Sequence, residues 1–267
     1  MCSYVILFAL CSVFGWVFES AFAVVKTRKW EARGFLYGPV CPIYGVGVVA
    51  IVLAAKALLR YAGVDYAWWQ IALVGFFGSM ALEYAVSWAL EKLFHAYWWD
   101  YSDMPLNIRG RTCVPAACLF ALGGLAAVYI ISPGWDALMA HVPHVAAELA
   151  SYAIVALFAV DAALSVCSLT RIQEQVASAS EAFHARAEGL TDGLVDRTEE
   201  AARRLAAERA RIKDEVLQGA VGGMSASVRS TLGRIEGFRL PERPSAPGLS
   251  SFADAMIAKV RGHHRGR

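Results

Sequence analysis

The sequence predicts an all-α, polytopic helical membrane protein of about five transmembrane helices, followed by a long C-terminal coiled-coil-like helix. Three observations carry that prediction. Of 267 residues, 57% are apolar and the mean hydropathy is +0.45, above the roughly 45–50% apolar content of soluble domains. Charge is unevenly divided: residues 1–169 hold 9 of the 25 Lys+Arg and 10 of the 23 Asp+Glu, leaving 16 and 13 for residues 170–267. Beyond Arg171, apolar residues stop running together and recur every eleven positions. The net charge of +2 is too small to recruit nucleic acid.

The domains follow in order. Residues 1–169 form the transmembrane part, with spans at about 1–25, 40–60, 68–93, 112–131 and 147–169. Met1–Val25 is long and apolar enough to cross a bilayer core of about 30 Å. Ala21-Phe-Ala23 resembles a signal-peptidase site, but the first 18 residues carry no charge and the basic cluster comes after the apolar run, so a retained helix is expected. Glu19 lies near its inner end.

Arg33–Gly47 opens the second span with four glycines, two prolines, two tyrosines and a cysteine. Gly34 and Gly38 permit backbone angles that other residues avoid. Pro39 and Pro42 remove two backbone donors. Two readings fit: a loop followed by a helix with proline in its first turn, or a re-entrant segment buried in protein or lining a wet cavity. Cys41, Tyr44 and Gly45 belong to the same motif. The second span continues to Lys56 and Arg60, whose long side chains can reach the interface.

The third span holds Glu83-Tyr84 and the small residues Gly75, Gly78 and Ser79, suited to close helix packing. In the loop 95–111, Trp98, Trp99 and Tyr101 suit a membrane–water boundary. The fourth span is entered through Pro115. A linker over 132–145 follows, then the fifth span with Asp161.

Lys+Arg counts alternate along the loops: four in 26–35, none in 61–67, two in 95–111, none in 132–146, and many after 170. Cationic loops stay inside. The expected location is the cytoplasmic (inner) membrane, multi-pass, with the N-terminus outside and the C-terminus cytoplasmic. Lys56 and Arg60 dissent mildly.

Residues 170–218 read as a cytoplasmic amphipathic helix. Ile172, Phe183, Leu194, Leu205 and Val216 recur every eleven residues, with a second row at Ala179, Leu190, Ala201 and Ile212. That spacing, 3.67 residues per turn, keeps a stripe on one face of a nearly straight helix. The stripe needs a cover, and a homo-oligomer through residues 171–217 is the expected one. Residues 219–267 read as a short helix and a largely disordered basic tail, with Pro241–Gly248 as a linker.

Ionisable groups at membrane depth are costly and face the protein interior. Glu19, Glu83 and Asp161 qualify, with Arg33, Arg109 and Arg111 near the cytoplasmic ends of the spans. They can form a buried ion-pair network, a polar site for a solute or ion, or a catalytic site. The last has little support: His95 with Asp100 and Asp103, and Cys41 or Cys113 as nucleophile, have no spacing that demands catalysis. There is no phosphate loop and no His-Glu-x-x-His. The six cysteines stand singly, with no metal-site spacing. Neither a catalytic residue, a metal nor a cofactor is expected, and the chain is not read as an enzyme.

Several blocks carry a resemblance: Gly15-Trp16 with Glu19; Arg33-Gly-Phe-Leu-Tyr-Gly-Pro-Val-Cys-Pro-Ile-Tyr-Gly45; Leu82-Glu-Tyr84; Leu90-Glu-Lys-Leu-Phe94; and Trp98-Trp-Asp100-Tyr101-Ser-Asp-Met-Pro-Leu-Asn107-Ile-Arg-Gly-Arg111. In order and spacing, roughly over residues 4–133, they resemble the bacterial membrane family called putative ABC-transporter type IV, or CmpB-like. Ala32 stands where that family has asparagine. The resemblance implies a permease-like subunit, of unstated substrate, working with a separate cytoplasmic ATPase. The alternative is a membrane-anchored scaffold acting through the cytoplasmic helix.

Overall fold

A computed structural model describes residues 1–28, 33–62, 67–191, 199–240 and 248–263. It is all-α apart from two minimal two-stranded ribbons. Among the described residues, five helices are long and apolar enough to cross a membrane. The chain divides into two compact units, Met1–Ala89 with Trp99–Ser165, and Leu90–Trp98 with Val166–Arg267.

The first unit is built on a helical hairpin. Helix α1 (Cys2–Thr27) and α2 (Pro42–Ala62) run antiparallel, since Tyr44 meets Glu19 while Lys56 meets Tyr4. Gly45 permits their approach: a Cβ there would overlap the Phe8 carbonyl oxygen and Ser12 Oγ. Gly15 does the same for the Tyr44 ring. Helix α3 (Trp68–Phe94) packs closely on α4 (Val114–Ala126), where a Cβ on Gly75 would lie 3.2 Å from Ala121 Cα. Small residues drive such packing in lipid, because apolar burial there gains nothing over contact with acyl chains. Ile51, Val52, Ala55, Ile71, Ala127 and Val128 form the core.

Two boundaries differ from the sequence reading. The helix of the fourth span does not stop at Ile131. It passes through a π-helical turn, Ala127–Ile131, into α5 (Ser132–Met139). Pro133 sits in the first turn of α5, where its missing N–H costs least, so the expected linker is mostly helix. The helix of the fifth span continues past Leu169: α6 runs unbroken from His144 to Thr191. Between the first and second spans, residues 33–41 are non-helical and α2 starts with Pro42 in its first turn.

At one end of this unit, Lys56 Nζ donates to both Asp136 oxygens, at 2.8 and 2.6 Å, and Trp135 Nε1 donates to Ser3 Oγ at 2.7 Å. The dissenting Lys56 therefore has its own counter-charge. The side chain of Arg60 lies outside the described residues.

The second unit holds α7 (Glu199–Gly223), α8 (Ala226–Arg234) and α9 (Leu249–His263) beside the distal part of α6. Strand β1 (Ala96–Tyr97) pairs antiparallel with β4 (Gly237–Phe238). The expected disordered tail is, over 249–263, a helix with Phe252, Ala253, Met256, Ile257 and Val260 buried. The reason is its own spacing of i, i+1, i+4, i+5 and i+8, one apolar face of a helix. Helix α7 reaches Gly223 rather than breaking at Gly219, and packs on α9. Of the eleven-residue rows, Ile172, Ala179 and Val216 are buried, and Phe183 lies 5.8 Å from the Phe252 ring. Part of the stripe is thus covered from within the chain. Leu194, and the side chains of Leu190 and Ala201, fall outside the described residues, as do Lys29, Ala32, residues 241–247 and the last four residues of the basic tail.

Candidate functional site

The first unit gathers the motif residues at the end opposite the Lys56–Asp136 pair. The loop after α3 supplies one half. Trp99 Nε1 donates to the Arg111 carbonyl at 2.8 Å. Asp100 accepts from Ser102 N and Oγ, closing a tight turn. Asn107 is the organiser: its amide donates to the carbonyls of Ser102 and Met104, and its oxygen accepts from Gly110 N. Strands β2 (Asn107–Ile108) and β3 (Thr112–Cys113) then pair. Their connection needs left-handed backbone at Arg109 and Gly110, with φ of 53° and 69°. A Cβ on Gly110 would lie 2.5 Å from Asp100 Oδ1, so only glycine fits.

This loop presents two hydroxyls to one acid. Glu83, 4% exposed, accepts from Thr112 Oγ1 at 2.7 Å and from Tyr101 Oη at 3.2 Å. Glu19 accepts from Tyr44 Oη at 2.5 Å. Burial first, then the Glu83 and Glu19 carboxylates, push the Tyr101 phenol well above its ordinary value. The two acids therefore act on one neighbourhood. The thiols of Cys41 and Cys113 flank it and are buried.

Asp161 does something different. Its Oδ1 accepts from Tyr37 N at 2.8 Å and its Oδ2 from Gly38 N at 2.9 Å. One carboxylate thus clamps two successive amides of the Arg33–Cys41 segment onto the fifth span. A Cβ on Gly38 would lie 2.8 Å from Asp161 Oδ2. Gly34, at φ 101°, turns the segment so that it folds back near Cys41. Cys41 N donates to the Ser12 carbonyl at 2.8 Å, and Pro39 and Pro42 bracket that bond.

The arginines are placed otherwise than the sequence suggests. Arg111 is buried with its guanidinium 5.2 Å from the Tyr84 ring centroid. Arg33 is half-buried and Arg109 is exposed. None forms an ion pair with Glu19, Glu83 or Asp161, whose partners are hydroxyls and amides. Trp98 and His95 belong to the other unit. The residue that sequence reasoning passed over is Thr112. Its only signal is a hydroxyl at the mouth of a span, directly after Arg111.

Residues 6–166 match the family described as Putative ABC-transporter type IV. The chain belongs to that family. No curated relative and no solved structure matches it. The family segment takes in all three acids, both tyrosines and Thr112, and stops at the boundary of the first unit. Helices α7, α8 and α9 lie wholly outside it. The family description makes this an ABC-transporter-related, multi-pass membrane protein.

Proposed function

We propose that the chain is a permease-like subunit of an ABC-type transporter in the cytoplasmic membrane, working with a separate ATPase. The observation that carries this reading is the Glu19–Tyr44 and Glu83–Tyr101–Thr112 network, set in a bundle of the transporter-related family. Carboxylates at membrane depth with hydroxyl partners, and no ion-pair partner among the described residues, are suited to exchange a proton or take a cationic group. The loops carrying the network are the cationic ones, which supports a cytoplasmic side for them and for the C-terminus. A second reading rests on the folded C-terminal unit: the protein anchors a cytoplasmic assembly, and the half-buried Phe183, Leu205 and Ile212 of the 171–217 stripe join copies of the chain.

Mild purification from native membrane with lipid retained, followed by mass spectrometry of what stays bound, separates the two. The transporter reading expects a stoichiometric ATPase whose hydrolysis falls with Glu83→Gln at unchanged protein level. A homo-oligomer with no ATPase, dispersed on deleting residues 199–267, overturns it in favour of the scaffold.

A further inference from the structure

The strand β4 segment does more than finish the C-terminal unit. Glu236 N donates to the Tyr97 carbonyl and Arg239 N to the His95 carbonyl, both at 2.8 Å. Between them Ala96 faces Phe238 and Tyr97 faces Gly237. This is strand addition: an extended segment satisfying backbone groups at the edge of another. Side chains make it specific. The Arg239 guanidinium lies 4.9 Å from the Tyr97 ring centroid and pairs with Glu91 at 2.8 Å. A Cβ on Gly237 would overlap the Tyr97 phenol, so a side chain there must displace the ring or the strand. The other side of the segment is held by α9, where Asp254 Oδ1 accepts from Phe238 N and Ser250 Oγ from Leu240 N.

The two partners have different origins. His95–Tyr97 lies inside the family segment, and Glu236–Arg239 lies seventy residues beyond its end at 166. His95 ends α3 in a left-handed conformation, φ 49°, and Gln173 Nε2 caps the Phe94 carbonyl at 2.6 Å. The chain then runs, four residues past Tyr97, into Tyr101 and on to Thr112, the two hydroxyls on Glu83.

We propose that the edge of His95–Tyr97 is a docking surface for an extended segment, that its occupant is this chain's own Glu236–Arg239, and that this clasp governs the loop delivering Tyr101 and Thr112 to Glu83. The C-terminal unit is then a control element added to the family's membrane part, acting by holding or releasing one strand. The clasp stands independently of whether the protein transports anything.

The test uses the full chain in lipid nanodiscs, with hydrogen exchange of residues 95–98 and 99–113 and alkylation of Cys113, which is fully buried as a free thiol. Gly237→Val is expected to raise exchange over both segments, and Cys113 alkylation, by about tenfold, as a local opening becomes cheaper. Arg239→Ala, which leaves the backbone ladder intact, should move all three in the same direction by less. Gly222→Ala, at an open position, should move none. Exchange that rises over 95–98 while 99–113 and Cys113 stay at wild-type values overturns the proposal, as does no rise at all. If Gly237→Val also exposes α9, Arg239→Ala decides alone.

Discussion

At the scale of single residues, the informative contrast is between Asp161 and Glu83. Both are acids in apolar helices, but Asp161 is satisfied by two backbone amides and Glu83 by two hydroxyls. Amide donors cannot rotate away, whereas hydroxyls can turn and exchange their protons. Asp161 is therefore a fastener. Asp161→Asn keeps one acceptor and faces the second N–H with an amide group. It should cost about 1–3 kcal/mol, the range for leaving a buried donor unsatisfied, read as an earlier unfolding transition in mixed micelles. The phenol of Tyr101 is raised by burial and by the two carboxylates. A group raised in the fold keeps its proton where the unfolded chain has lost it, so stability falls as pH climbs above about 10. Melting curves from neutral pH upward should show this fall, and Tyr101→Phe should make it shallower. Little of this pairing was legible in the sequence. The acids stood out as charges among apolar residues, but backbone amides 124 and 123 positions away have no signature in a string of letters.

At the scale of elements, hydropathy identified the spans because lipid requires helices to satisfy their own backbone. It did not give the helix ends, because nothing in hydropathy marks where an apolar helix simply continues as a more polar one, as α6 does. Proline misled in the fourth span: Pro133 reads as a stop, yet in a first turn behind a π-helical step it is accommodated. Helix α9 had the right periodicity, but it follows a Pro-rich stretch, and composition outweighed pattern. The α1–α2 hairpin offers the sharpest test. Gly45→Ala places a methyl against the Phe8 carbonyl and Ser12 Oγ. The forced shift should cost about 1–3 kcal/mol, seen as a lower melting temperature, while Gly78→Ala, with nothing within 4 Å, should not lower it.

At the scale of the molecule, the proposed orientation makes two positions diagnostic. Ala140 and Leu106 are both exposed, one after α5 and the other in the loop before α4. In intact cells, a membrane-impermeant maleimide should label Ala140→Cys above the wild-type background and leave Leu106→Cys unlabelled until the cells are permeabilised. The reverse pattern would invert the topology and, with it, the side on which an ATPase could bind.

The Asp161 clamp also sets an order of events during synthesis. The amides of Tyr37 and Gly38 leave the ribosome 124 and 123 residues before the carboxylate that holds them. At 5–20 residues per second that is a wait of roughly 6–25 s. Until the fifth span arrives, Tyr37 and Gly38 lack this lock. A chain cut short after four spans would carry an unfastened segment at its membrane surface, a mark by which proteolytic surveillance could tell unfinished copies from finished ones.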